Sequence, residues 1–137
     1  MRKSFFILTI IFLFISCSSS DNDSGVSSSS TKINPPNWIR GTWMMYDDSL
    51  QDEIISLNSG FQFKKDDFCS IIMSTYNCNK EMIKQMNKAG GYTKVEEDKS
   101  EDHYYLNITI VHQTVSYEFD RTSSNMIIYN NQAYKKQ

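Results

Sequence analysis

The chain has 137 residues, with sixteen acidic and fourteen basic side chains and a formal net charge of −2. It has no basic run, so the electrostatic footprint of a nucleic-acid binder is missing and no such partner is expected. Two histidines and three cysteines, none in metal-ligand spacing, leave no zinc site to expect.

The first sixteen residues read as an export signal. Arg2 and Lys3 precede an apolar run from Phe5 to Ile15, closed by the small Ser16. At ~1.5 Å per residue, a helix of about a dozen residues covers ~18 Å, well short of a ~30 Å hydrocarbon core. Phe14, Ile15, Ser16 and Cys17 together resemble the lipobox of bacterial lipoproteins, with Phe14 standing where Leu is usual. The resemblance implies cleavage before Cys17, attachment of fatty acyl chains such as palmitate at that residue, and membrane anchoring through the lipid. One acyl chain holds a protein only marginally, whereas two or three hold it firmly. Ser18 after the cysteine, in place of Asp, implies the outer membrane by the sorting rule of many Gram-negative lipoproteins. Asp21 and Asp23 resemble surface-export signals, so both periplasmic and surface-facing orientations stay open. Read from the residues alone, an ordinary cleaved signal with an incidental cysteine and an uncleaved interfacial anchor are the competing accounts.

Residues 17–32 follow as the acylated cysteine and a Ser-rich tether with almost no apolar side chain, too poor in burial to offset the entropy of ordering. A flexible leash of this length reaches roughly 20 Å on average. Pro35 and Pro36 stiffen the chain ahead of Trp38, and residues 33–137 make one small domain. Loss of residues 1–16 leaves twelve basic against sixteen acidic side chains, a net charge of −4.

That domain reads as β-rich. Tyr104, Leu106, Ile108 and Ile110 alternate with Tyr105, Asn107 and Thr109, and a second alternating run carries Val115, Tyr117 and Phe119. With Gln113 and its neighbours between them, the two form an antiparallel hairpin. Further strands are expected at 39–46, 53–57, 61–64, 68–75, 92–96 and 126–129. Turn chemistry separates them at 58–60, 65–67, 98–102, 123–125 and 130–132. Residues 80–89 break the rhythm: Met82, Ile83, Met86 and Ala89 have helical spacing, Asn79 is a candidate cap and Gly90 and Gly91 a stop. A short helix packed over a barrel mouth is expected there, against the alternative of a long strand–loop connection. Short strands at intervals of about ten residues fit a sandwich or a closed barrel.

The first strand opens with Gly41, Thr42 and Trp43. This resembles the Gly-x-Trp start of the lipocalin (calycin) superfamily, especially its small bacterial lipoproteins. The resemblance extends to the stretch from Ser116 to Tyr129 followed by Ala133 to Lys136, which is similar to the family's closing hairpin. It implies an all-β, up-and-down antiparallel barrel with one short helix, in which Trp43 plugs the closed end and a basic residue lies over its indole. On this resemblance Lys135 or Lys136 takes that basic position, with Arg121 as a competitor. A domain shorter than a full lipocalin favours a filled interior over a deep cavity.

Cys69 and Cys78 form an even pair in an oxidising compartment, hence a candidate disulfide. The alternative is a buried Cys69 and an exposed, unpaired Cys78. His103 and His112 lie about nine residues, or ~30 Å, apart along one strand and cannot share a metal. They read as strand-end side chains facing water. The acidic pairs Asp47 with Asp48 and Asp66 with Asp67, and the trio Glu96, Glu97 and Asp98, fall beside turns, where carboxylates are easily solvated. No nucleophile elbow, phosphate loop or dinucleotide fingerprint occurs, so neither an enzyme nor a cofactor is expected. The aromatic side chains fill a core or line a shallow apolar pocket, with Met44, Met73, Met82 and Met86 as adaptable walls. The expected function is a lipid-anchored envelope module that binds a small apolar or amphipathic ligand. The alternative is a lipoprotein that acts through an envelope protein partner, as an immunity, inhibitor or assembly accessory.

Overall fold

A computed structural model describes residues 28–47 and 59–137. The expected signal peptide, Cys17, most of the tether, Asp48 and the strand expected at 53–57 lie outside the described residues. Among the described residues no helix is long and apolar enough to cross a membrane.

Among the described residues, ten strands and one helix follow in chain order. They are β1 (Ser28–Ser30), β2 (Gly41–Tyr46), β3 (Gly60–Lys64), β4 (Asp67–Ile72), β5 (Thr75–Cys78), α1 (Asn79–Lys88), β6 (Thr93–Lys99), β7 (His103–Ile110), β8 (Gln113–Ser123), β9 (Met126–Tyr129) and β10 (Gln132–Lys136). All strands join one antiparallel sheet in the order β1-β6-β7-β8-β9-β10-β2-β3-β4-β5. The last strand therefore pairs with β2, and among the described residues β1 and β5 are the two edges. α1 packs against β4 and β6, along the flank between those edges rather than over a mouth.

Alternation drives the curl. Inward positions on β7 (Tyr104, Leu106, Ile108) and β3 (Phe61, Phe63) are buried, as are Trp43, Phe68, Val95, Phe119 and Ile127. Phe68 on β4 meets Tyr117 on β8 with ring centroids 4.6 Å apart, although the two strands lie far apart along the sheet. Only a sheet bent through a half-barrel brings them together. Phe61 sits at the centre, edge-on to Phe119 and Tyr129 at 5.0 Å each and against Tyr134 at 4.9 Å. Such tilted and edge-to-face pairs add about 0.5–1.5 kcal/mol each beyond burial.

Several expected boundaries are corrected. The run 68–75 is two strands, because Met73 (φ 49°) and Ser74 (φ 64°) form a two-residue turn that pairs Ile72 with Thr75. This left-handed pair matches the twist of a tight hairpin without the usual Asn-Gly signal. Asn130 and Asn131 make the same kind of turn between β9 and β10. The β7–β8 turn is Val111 and His112, so Gln113 already belongs to β8. Within the expected tether, Ser28–Ser30 pairs with β6. Backbone pairing to an open edge needs no apolar side chain.

Candidate functional site

The two ends of the curled sheet differ in chemistry. At one end lie the start of β2, the β3–β4 turn and the last residues of β6 and β10; at the other lie the β4–β5, β7–β8 and β9–β10 turns.

The first end is closed. Trp43 is fully buried and donates its indole N–H to the Ile39 carbonyl at 2.6 Å. The Lys136 ammonium lies over its ring, 5.1 Å from the centroid. Gly41 makes this possible: it has φ +128°, and a Cβ there would sit 2.8 Å from Lys136 Cε. A side chain at that position would both strain the backbone and displace the lysine stem. Of the two lysines expected over the indole, Lys136 is the one that stacks on it. Alternation turns Lys135 to the outer face, where it lies over Tyr46 at 5.3 Å, while Arg121 lies over Trp38 at 5.9 Å. Thr42 points away from Trp43, and its hydroxyl accepts from the Gln62 amide at 3.3 Å.

Among the described residues, the second end is open and apolar. Ile72 is 56% exposed and Val115 51%; Val115 continues the inward face of Tyr117 one layer below it, and Ile72 that of Phe68 beyond the intervening Ser70. Around them Met73 is 84% exposed, with Tyr76, Tyr92 and Val111 also exposed. The ring layer beneath fills the interior, so the mouth is shallow.

A third feature lies on the flank. The entry segment after β1, the β3–β4 turn, α1 and β6 enclose a cleft of about 830 Å³. Its floor carries Glu97, only 4% exposed. One carboxylate oxygen accepts from the Tyr104 hydroxyl at 2.6 Å and the Asn34 amide at 2.9 Å, and the other faces the Lys99 ammonium at 3.3 Å. Burial, helped by the Glu97 carboxylate, drives the Tyr104 phenol far above its ordinary range. Glu97 thus departs from the solvated turn expected for it, because it follows Thr93 and Val95 on the inward face of β6.

Asp67 departs from the same expectation. It is buried at the start of β4 and accepts from the backbone amides of Phe68, Asn79 and Lys80. The carboxylate therefore caps α1 from outside the helix, the role expected of Asn79. The residue before the helix is Cys78, which makes no side-chain cap bond, while the Asn79 side chain donates to the Phe68 carbonyl. Cys69 and Cys78 are opposite partners on β4 and β5 and are joined as a disulfide. Asp67 lies beside both sulfurs, but a disulfide offers no thiolate, so this trio is not a metal-ligand set.

His103 pairs with Asp120 at 2.8 Å at the closed end, and His112 sits in the β7–β8 turn. The structure does not bring them together. Nothing in composition singled out Glu97, Asp67 or the flank cleft; the period-two pattern of residues 93–97 was the one usable signal. Comparison with known proteins found no matching family model, curated protein or solved structure.

Proposed function

We propose that the chain is a lipid-anchored lipoprotein of the outer membrane whose lipocalin-like barrel binds a small apolar or amphipathic molecule at its open mouth. The observation that carries this reading is the pair Ile72 and Val115, inward-facing and half exposed above the aromatic layer. Apolar surface held open to water at one end of a closed-bottomed fold is where such a ligand gains most from burial. The Trp43–Lys136 stack at the other end fits the barrel-plug role that the family resemblance implies. The anchor rests on Cys17 behind its apolar run. Cys17→Ala should abolish acyl labelling and leave precursor; continued labelling would remove the anchor from the proposal.

Native mass spectrometry of the protein extracted from envelope membranes tests the binding role. A co-purifying small-molecule mass that disappears in Val115→Asp supports it, and a bare parent chain counts against it. A second reading, docking to an envelope protein, is favoured by Met73, Tyr76 and Tyr92 on the outer rim. It predicts a stoichiometric crosslinked partner in cells that is lost in Met73→Asp but retained in Val115→Asp.

A further inference from the structure

We infer that the flank cleft is a binding site for a phosphate-bearing ligand, distinct from the apolar mouth. Among the described residues, five lysines line it, at positions 32, 65, 80, 84 and 99, against two carboxylates, Asp66 and Glu97. They come from four separate elements, so no helical or strand periodicity forces them together. Gathering like charges around one concavity is unfavourable unless an anion enters it.

The two carboxylates do not cancel this field. Asp66 is paired with Lys80, and Glu97 is turned into the floor, engaged by Tyr104, Asn34 and Lys99. Lys84 meets Glu81 along the exposed helix surface at 3.5 Å, a contact of little strength in water. The ammonium groups of Lys32 and Lys65 have no carboxylate partner among the described residues. The amide end of α1 is not the anion site, because Asp67 already occupies it.

A phosphomonoester carries about −1.5 to −2 charges near pH 7 and several strong acceptor oxygens, which suits point-charge lysine donors better than a lone carboxylate does. The cleft is much larger than a phosphate and lies within the ~300–1,000 Å³ range of small-molecule sites. Ile33, Ile83 and the lysine stems supply apolar walls for the remainder of the ligand. The shared chemistry is a phosphate group, borne either by a soluble metabolite or by a lipid headgroup.

The test is amide and isoleucine-methyl NMR on the full chain in nonionic detergent. It is titrated with inorganic phosphate and, separately, with a short-chain phosphatidic acid below its micelle concentration. Shifts should concentrate at Lys32, Lys65 and the Ile83 methyls, with Val115 unmoved, which keeps the result separate from ligand binding at the mouth. A response to inorganic phosphate identifies soluble phosphate as sufficient; a response to phosphatidic acid alone identifies a lipid source. K32Q/K65Q should bind at least about tenfold more weakly, the scale of one lost charge-assisted hydrogen bond. K94Q/K135Q, off the cleft, should bind like the parent. No response to either probe, an unchanged K32Q/K65Q, or an equal loss in K94Q/K135Q overturns the proposal.

Discussion

Replacing Glu97 by Ala removes the acceptor for three donors at once and gives the sharpest test of how the entry segment is held. The Tyr104 hydroxyl at 2.6 Å belongs to a fully buried ring, and the Asn34 amide at 2.9 Å fixes the chain just before the two prolines. A hydrogen bond to a charged partner contributes about 1.5–3 kcal/mol, and the Lys99 contact least, because its ammonium can turn to water. Since leaving one side of a buried polar pair unmatched costs about 3–5 kcal/mol, Glu97→Ala should destabilise by that amount rather than by the sum of three bonds. Glu97→Gln retains an oxygen for Tyr104 and Asn34 but turns an amide toward Lys99, and should cost about 1–2 kcal/mol. Urea unfolding followed by tryptophan fluorescence measures both, and a double-mutant cycle with Tyr104→Phe isolates the shared bond. Hydrogen exchange at Asn34 should accelerate in the Ala variant. A Glu97→Ala cost below about 1 kcal/mol, or strict additivity with Tyr104→Phe, would refute the reasoning.

Other expectations follow from the same packing. Trp43→Ala should cost about 3–5 kcal/mol as a buried plug. Lys136→Gln should cost about 0.5–1 kcal/mol, more than Lys135→Gln, and the reverse order would sink the assignment of the stacked lysine. Reducing the Cys69–Cys78 disulfide, which closes a loop with a separation of 9, should lower stability by about 2–3 kcal/mol in denaturant melts. Burial raises the phenols of Tyr104, Tyr117 and Tyr134. A folded-state value above the unfolded one gives stability that is full below about pH 10 and declines as pH rises further, with Tyr104 contributing up to about 1.4 kcal/mol per pH unit. Unfolding midpoints across that range should fall less steeply for Tyr104→Phe.

Local pattern carried much of the architecture. The alternation in 104–110 and 115–119 is a property of neighbouring residues, and it specified a hairpin whose inner face is buried at Tyr104, Leu106, Ile108 and Phe119 and exposed at Val115. The helix at 79–88 was visible for the same reason, although only Ile83 of its apolar set is buried deeply. The expected Cys69–Cys78 pairing needed only an even count and an oxidising address. Apart from the lysine over Trp43 that the family resemblance implied, what escaped were the features in which one element meets another distant in the chain.

By itself the sequence determined a basic and then apolar start with Cys17 behind it, a formal net charge of −2, and a β-rich pattern opened by Gly41 and Trp43. These depend on composition and on spacings of two to four residues. Only the tertiary structure decided that Lys136 lies over Trp43, that Asp67 caps α1 from another strand, and that Glu97 is buried under Asn34. It also decided that lysines from four elements share one cleft and that the aromatic rings fill the interior. The physical reason is curvature. A flat ladder fixes which face a side chain takes, but only the bending of the sheet decides what stands opposite it.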